Sequence, residues 1–146
     1  MNRIMIDADK CKGCKNCSIA CMKAHPPEAE TFALDNPKFE SRNIILLNGE
    51  KKYKPLFCRH CDKPSCVATC MSGAMSKDAK SGHVTCDKEK CGLCFMCVMN
   101  CPFGVLKPER TGNTYVVKCD FCQEHNSEPS CVKLCPTGAI SLKEVD

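Results

Sequence analysis

Apolar and polar residues alternate most cleanly at two places far apart in the chain. Arg3-Ile-Met-Ile-Asp7 and Ala139-Ile-Ser-Leu-Lys143 both show the period of two that marks a half-buried strand. Between them the pattern predicts three hairpins. The first leaves along Asn43-Ile-Ile-Leu-Leu47, turns at Asn48-Gly49 and returns through Tyr53 to Phe57. Asn-Gly readily adopts the positive φ angles of a two-residue turn. The second pairs Ala74-Met-Ser-Lys77 with His83-Val-Thr-Cys86 across the loop 78–82, which contains Gly82. The third runs from Val105 to Lys107, turns near Thr111-Gly112-Asn113 and returns as Tyr115-Val-Val-Lys118. Helices are expected to be short, over residues 18–23, 67–71, 98–101 and 132–135. Residues 25–42, with Pro26, Pro27 and Pro37, read as an irregular insertion, either a plain surface loop or a docking surface.

Cysteine changes this picture. The chain holds 17 cysteines in 146 residues, and a cysteine share above roughly 8–10% marks a disulfide scaffold or a metal-binding protein. Disulfides fit poorly: the count is odd, and the run from Cys11 to Cys21 holds four cysteines whose mutual pairing would strain the bridges. Four motifs take up sixteen of the seventeen. They are Cys11-x2-Cys14-x2-Cys17-x3-Cys21, Cys58-x2-Cys61-x4-Cys66-x3-Cys70, Cys91-x2-Cys94-x2-Cys97-x3-Cys101 and Cys119-x2-Cys122-x8-Cys131-x3-Cys135. The residues after three of them repeat as well: Cys70-Met-Ser-Gly-Ala-Met75, Cys101-Pro-Phe-Gly-Val-Leu106 and Cys135-Pro-Thr-Gly-Ala-Ile140. The first and third motifs have the spacing by which bacterial ferredoxins hold [4Fe–4S] clusters. Three cysteines at i, i+3 and i+6 wrap a tight loop around one cubane. The fourth lies about one helical turn further, roughly 6 Å along an axis, and points away from that cubane. In two-cluster ferredoxins it ligates the other cluster. That exchange sets paired clusters on the order of 10 Å apart, close enough for electron hopping. Zinc usually takes two C-x2-C pairs, which leaves the third and fourth cysteines of each repeat unexplained.

The strand pattern indicates which motifs pair. The hairpin between the second and third motifs makes one ferredoxin-like unit, and pairing of the terminal strands brings the first and fourth motifs together. Pairing first with second and third with fourth would leave the ends without strand partners. The expected ligand sets are Cys11, Cys14, Cys17 with Cys135; Cys119, Cys122, Cys131 with Cys21; Cys58, Cys61, Cys66 with Cys101; and Cys91, Cys94, Cys97 with Cys70. The expected fold class is α+β, with two intertwined bacterial-ferredoxin-like units built from short hairpins and short helices. Residues 1–146 form a single four-cluster domain: one unit is 1–42 plus 108–146, the other is 57–107, and 43–56 is a hairpin insertion.

Composition agrees with a metal-held core. Without cysteine the apolar share falls from 43% to about 31%, and there are six Phe, two Tyr and no Trp, so bound clusters must supply much of the folding energy. The formal charge is +4. A four-thiolate cubane is roughly −2, so four bring the total to about −4, and the lysine excess reads as compensation for buried anions. Lys51-Lys52 and Lys88-Glu89-Lys90 are too short and mixed for a nucleic-acid surface. The longest aliphatic run, Ile44 to Leu47, is far below the ~20 residues of a membrane span, and the N-terminus lacks a signal-peptide pattern. Together these predict a reducing cytoplasm, with any membrane contact made through a partner. Gly13, Gly49, Gly73 and Gly82 are isolated and no Rossmann fingerprint is present, so the chain is expected to carry electrons and to hold no substrate site.

Several residues lie outside the motif pattern. Cys86 is left over and reads as a free buried thiol, with a ligand or redox role open. His60, between Cys58 and Cys61, either donates to a cluster sulfur or faces solvent. His25, His83 and His125 carry no expected chemistry. Met71, Met75, Met96 and Met99 are expected to pack around the clusters.

With these motifs the chain resembles the four-cluster ferredoxin family over almost its whole length. Members of that family pass electrons for molybdenum and tungsten oxidoreductases, hydrogenases and carbon monoxide dehydrogenases, and they use the nested motif pairing. The stretch Phe57-Cys-Arg-His-Cys-Asp-Lys-Pro-Ser-Cys-Val-Ala-Thr-Cys-Met-Ser-Gly-Ala-Met75, Cys97-Val-Met-Asn-Cys-Pro-Phe-Gly104, Arg3-Ile-Met-Ile-Asp7 and Glu40-Ser-Arg-Asn43 are similar to the ferredoxin-like electron-transfer proteins of carbon monoxide dehydrogenase. That resemblance implies an anaerobe's cytoplasm and low-potential electrons passed from carbon monoxide oxidation to a hydrogenase or a flavin-dependent nicotinamide reductase. Cys86 lies outside the family's ligand pattern. No motif cysteine is replaced, so no three-iron cluster is expected.

Overall fold

The computed structural model describes residues 1–27, 31–50, 52–112, 114–126 and 128–145. Along the chain come β1 (Asn2–Ile6), α1 (Asn16–Ala24), β2 (Ile44–Leu47), β3 (Tyr53–Leu56), α2 (Ser65–Ala68), β4 (Met75–Lys77) and β5 (Val84–Cys86). They are followed by α3 (Met96–Asn100), β6 (Lys107–Pro108), β7 (Val116–Val117), α4 (Ser130–Lys133) and β8 (Ile140–Glu144). The strands form four antiparallel pairs: β1 with β8, β2 with β3, β4 with β5 and β6 with β7. A two-stranded ribbon is marginal alone in water, so each pair depends on what it packs against.

The chain ends meet. β1 and β8 pair in the register Ile4↔Leu142 and Ile6↔Ile140. The ladder continues on both sides, where Asp7 N–H donates to Ala139 O at 2.7 Å and Val145 N–H donates to Met1 O at 2.7 Å. Alternation at both ends foretold this pairing, because it puts Ile4, Ile140 and Leu142 on one face; Ile4 and Ile140 are buried there, while Leu142, toward the end of the ribbon, stays 42% exposed. Ile4 and Ile140 join Phe57, Phe121 and Cys131 in one core, flanked by Cys17 and Cys135. A second core contains Cys58, Met75, Cys97, Val105, Leu106 and Val116. The two interlock: Cys119 packs on the second, and Phe57, next to Cys58, sits in the first.

The helices are short, as expected, but each begins earlier than its apolar residues suggest. α2 and α4 follow Pro64 (φ −76°) and Pro129 (φ −62°). Proline's fixed φ and missing N–H suit a helix start, so the proline sets the boundary. The β2–β3 turn also differs from expectation. Gly49 does not take a positive φ, so there is no two-residue turn. The loop is longer: Asn48 N–H donates to Lys52 O, while the Asn48 side-chain oxygen accepts from Glu50 N–H (3.2 Å) and Lys52 N–H (2.9 Å). The asparagine acts through its side chain, as in an Asx turn. In the β4–β5 loop Gly82 does take φ +71°, and the Asp78 carboxylate accepts from Lys80 and Ser81 N–H. Beyond β6, the Glu109 carboxylate accepts from the N–H groups of Thr111, Gly112 and Thr114, while Asn113, part of the expected turn, lies outside the described residues.

The segment 25–42 is not a plain surface loop. Glu28, Ala29 and Glu30 lie outside the described residues, but Phe39 is 2% exposed and Asn43 3%. Ser18 Oγ donates to Asn43 Oδ1 at 2.6 Å, and Asn43 Nδ2 donates to Cys17 O at 3.3 Å. The insertion therefore returns into the cysteine-bearing α1. No described helix is long and apolar enough to cross a membrane.

A ladder of substitutions on β8 tests how burial falls off along its inward face. Ile140→Ala is expected to cost about 2–5 kcal/mol and Ile140→Val about 0.5–1.5. Leu142→Ala, at a 42% exposed position, is expected to stay within about 0.5 kcal/mol. Anaerobic denaturant titration followed by circular dichroism reads all three, and equal costs at 140 and 142 would refute the burial of Ile140 relative to Leu142 on their shared face.

Candidate functional site

Three cavities are each walled by four cysteines from two distant stretches of chain. One is lined by Cys11, Cys14, Cys17 and Cys135, with Ile45 and Pro55 of the β2–β3 hairpin beside them. The next is lined by Cys119, Cys122, Cys131 and Cys21, with Ile4, Phe57 and Phe121. The third is lined by Cys58, Cys61, Cys66 and Cys101, with Val105 and Leu106. The remaining expected ligands are Cys91, Cys94, Cys97 and Cys70. Cys97 is raised in pKa by burial and by nearby Cys91 and Cys70, and Cys94 is exposed on the loop between Cys91 and Cys97. No disulfide joins any of the seventeen cysteines. The groups follow one another in space. Cys131 feels Cys17, Cys119 feels Cys58, and Cys97 feels Cys66, giving the order Cys11 group, Cys119 group, Cys58 group, Cys91 group.

The loops share a backbone device. The second residue after the first cysteine is left-handed in every motif: Gly13 (φ +70°), His60 (+44°), Leu93 (+58°) and Phe121 (+62°). Such φ values are uncommon outside glycine. They curl the loop so that main-chain amides face sulfur: Phe121 N–H donates to Cys119 Sγ at 3.4 Å. Met75 N–H donates to Cys70 Sγ at 3.3 Å and Arg42 N–H to Cys21 Sγ at 3.2 Å. Hydroxyls repeat the pattern, with Ser72 3.6 Å from Cys70 Sγ and Thr137 3.7 Å from Cys135 Sγ. These donors outweigh partial burial and lower both thiols.

The donor set fits a polycationic, thiolate-bound metal centre. Burial pushes Cys131 up to about 12, and Cys21, Cys122 and Cys17 add to the shift. Burial and Cys58 raise Cys119 well above the usual thiol range. Four thiols forced together in an apolar pocket resist ionisation, whereas iron takes them as thiolates outright. Amide and hydroxyl donors aimed at the sulfurs are what a bound anionic cluster requires.

Charged residues invisible in the motif pattern complete the centres. His25 ring nitrogens lie 2.8 Å from Cys21 O and 3.0 Å from Asp120 Oδ1, so both donate. Burial opposes charging this ring, but hydrogen bonds to Asp120, Cys122 and Cys21 prevail and raise it to about 11. Arg42 lies 2.5 Å from Asp120. Burial would raise the Asp120 carboxyl, yet His25 and Arg42 hold it well below the usual carboxylate range. Asp120 Oδ1 also accepts from Cys122 N–H at 3.0 Å. Lys118, 5% exposed, reaches Cys58 Sγ at 3.3 Å. Two faint signals existed in the sequence: an acid inside Cys119-x2-Cys122, and a histidine four residues after Cys21, on the same helical face. Nothing marks Lys118, which follows two valines in a strand.

Other expectations need correction. His60 neither donates to sulfur nor faces solvent. It is 4% exposed, and its Nδ1 accepts from Val84 N–H at 2.9 Å. Burial, with Lys118 and His83 nearby, lowers it to about 2. His83 stacks on Phe121 at 4.1 Å and lies 5.3 Å from His60. His25, expected to carry no chemistry, sits in the Cys119 cavity wall. Met75 is buried as expected, but Met71 (89% exposed) and Met99 (78%) point outward. Cys86 is half-buried and clusters with Cys91, Cys97 and Cys70. Burial and these neighbours push its thiol up to about 12.

Cysteine cradles of this kind define an iron–sulfur protein. Residues 50–145 match the family of 4Fe-4S dicluster domains, and the chain belongs to that family. Two Escherichia coli (strain K12) proteins are similar over nearly their whole length. Electron transport protein HydN is 33% identical over 155 residues, covering 96% of this chain and 87% of its own. Putative electron transport protein YsaA is 32% identical over 148 residues, covering 100% and 92%. One subunit of the same organism's anaerobic dimethyl sulfoxide reductase is 33% identical over 150 residues, covering 97% and 72%. The active site complex BamBC of benzoyl coenzyme A reductase shares the fold, with a TM-score of 0.52 at 24% identity over 98% of this chain and 79% of that one. The chain is an electron-transfer iron–sulfur protein, a carrier and not itself a catalytic subunit.

Gly13 tests the loop geometry. It takes φ +70°, and a Cβ there would collide with the Tyr53 ring. Gly13→Ala is expected to cost roughly 1–2 kcal/mol from the backbone alone and to lower the iron content of the reconstituted protein. Adding Tyr53→Ser should restore part of the iron, while no recovery would place the whole cost in the backbone.

Proposed function

We propose that the chain is a linear relay of four [4Fe–4S] clusters, ligated by Cys11, Cys14, Cys17, Cys135; Cys119, Cys122, Cys131, Cys21; Cys58, Cys61, Cys66, Cys101; and Cys91, Cys94, Cys97, Cys70. The observation that carries this reading is that three of these sets each line one cavity and each take one cysteine from a distant motif. Each cluster, when bound, supplies one reversible electron at low potential. The chain's own residues hold the thiolates, aim amides at the sulfurs and cover them with Ile4, Phe57, Val105 and Leu106. In this reading the nested halves are the two units expected from the motifs.

The donor is carbon monoxide dehydrogenase and the acceptor a hydrogenase or nicotinamide reductase, in a cytoplasm. This rests on the resemblance of residues 57–75 and 97–104. A second reading makes the chain the electron-transfer subunit of a molybdenum or tungsten oxidoreductase or of a hydrogenase. The similarity to the dimethyl sulfoxide reductase subunit favours it.

Paired cysteine substitutions test the ligand sets. Wild type is expected to bind sixteen irons with matching sulfide, four per cluster. Cys14→Ser with Cys135→Ser should lose one cluster, because both belong to one set, whereas Cys131→Ser with Cys135→Ser should lose two. The reverse result would exclude nested ligation. For the donor, catalytic carbon monoxide dehydrogenase and carbon monoxide should bleach the cluster absorbance as dithionite does. Bleaching by dithionite alone would turn the search to formate, aldehyde and hydrogen donors.

A further inference from the structure

The junction between the Cys119 and Cys58 groups holds a buried cation. Lys118 follows β7, and only 5% of it is exposed. Its Nζ donates to Cys58 Sγ at 3.3 Å, to Val84 O at 2.5 Å and to Cys119 O at 2.9 Å. An ammonium has three donors, and here each has its own acceptor. None of the three partners is a carboxylate. A buried ammonium facing only neutral groups is strongly disfavoured, and the stem of this side chain fills space that methionine would fill at less cost. The sulfur it touches is the one partner able to carry negative charge.

We infer that Lys118 is a positioning residue that raises the midpoint potential of the cluster held by Cys58, Cys61, Cys66 and Cys101, by fixing a buried positive charge against one of its thiolates. This rests on the ligand sets proposed above. Reduction adds one negative charge to the cluster, so a cation held against a ligand sulfur favours the reduced form; hydrogen bonds to sulfur and local charge are the protein's main levers on such potentials. The charge is rigidly placed. Val84, which accepts from it, is itself fixed by its N–H bond to His60, and Cys119 lies at the start of the neighbouring motif. The contact to the Cys119 group is through a carbonyl and not through sulfur, so the effect there is weaker. The Cys11 and Cys91 groups stand one step further away.

Redox titration of the holo-protein, followed by electron paramagnetic resonance, tests this with Lys118→Met and Lys118→Arg. Lys118→Met should lower one midpoint, that of the signal lost in Cys61→Ser, and leave the two outer ones in place. Lys118→Arg should retain the wild-type value closely. A fully loaded Lys118→Met protein with all midpoints unmoved, or all moved alike, would overturn the role. Should Lys118→Met fail to load, wild type labelled with 15N-lysine serves instead. Hyperfine spectroscopy of the reduced protein should detect a lysine nitrogen that disappears in Lys118→Arg, and its absence from wild type would also overturn the role. Iron and sulfide analysis separates the two levels. Fewer than four clusters in wild type removes the ligand assignment and this inference with it, while a full complement with unmoved potentials removes only the inference.

Discussion

The fold depends on one constraint: the fourth cysteine of each motif belongs in a different place from the other three. A loop at i, i+3, i+6 closes on itself, but the next cysteine sits a helical turn away and faces a neighbour. Cys135 accordingly stands with Cys11, Cys21 with Cys119, and Cys101 with Cys58. Each crossing is placed by a helix and a strand pair, most of them short. α2 and α4 have four residues each, and β6 and β7 have two. No strand pair is large enough to stand alone. The apolar residues form two modest cores that interlock through Phe57 and Cys119, and the cysteines are part of both.

Charge follows from the same constraint. Thiolates drawn together in apolar surroundings repel one another, and the chain answers with donors and cations from outside the motifs. The insertion after α1 is the clearest case. It leaves the helix, packs Phe39, and returns with Arg42, whose N–H reaches Cys21 and whose guanidinium meets Asp120. His25 closes the same cluster from the end of α1. At the junction with the Cys58 group, Phe121, His83 and His60 are stacked or tilted against one another. That seam is buried, and burial pushes both of its histidines below the usual imidazole range.

The parts of this arrangement that repeat along the chain were legible in the sequence. Two alternating ends were enough to anticipate the pairing of β1 with β8, and the four spaced motifs led to the ligand sets proposed above, three of which each line one cavity. The misreadings came where a side chain acts through a tertiary neighbour. His60 looked like a ligand-loop residue, but its partner is the amide of Val84 in β5, which no local pattern reveals. Asn48-Gly49 looked like a tight turn, but the asparagine side chain bonds two amides and opens the loop. Helix starts were misplaced because Pro64 and Pro129 set those of α2 and α4, and left-handed Lys15 and Phe95 those of α1 and α3, where apolar periodicity gives no sign of them. Lys118 is a charged residue in a buried strand context, the placement that hydrophobic patterning reads least well.

The closure of β1 against β8 orders events in time. A ribosome delivers the chain from one end, so the middle motifs are complete once Cys101 has emerged, and the hairpin of β4 and β5 is already present to join them. The first motif is made earliest yet finished last, since its loop waits for Cys135 and its strand waits for Ile140 to Glu144. The β1–β8 ladder cannot close until Glu144 has emerged, so the stretch that carries Cys11, Cys14 and Cys17 waits longest for its strand partner.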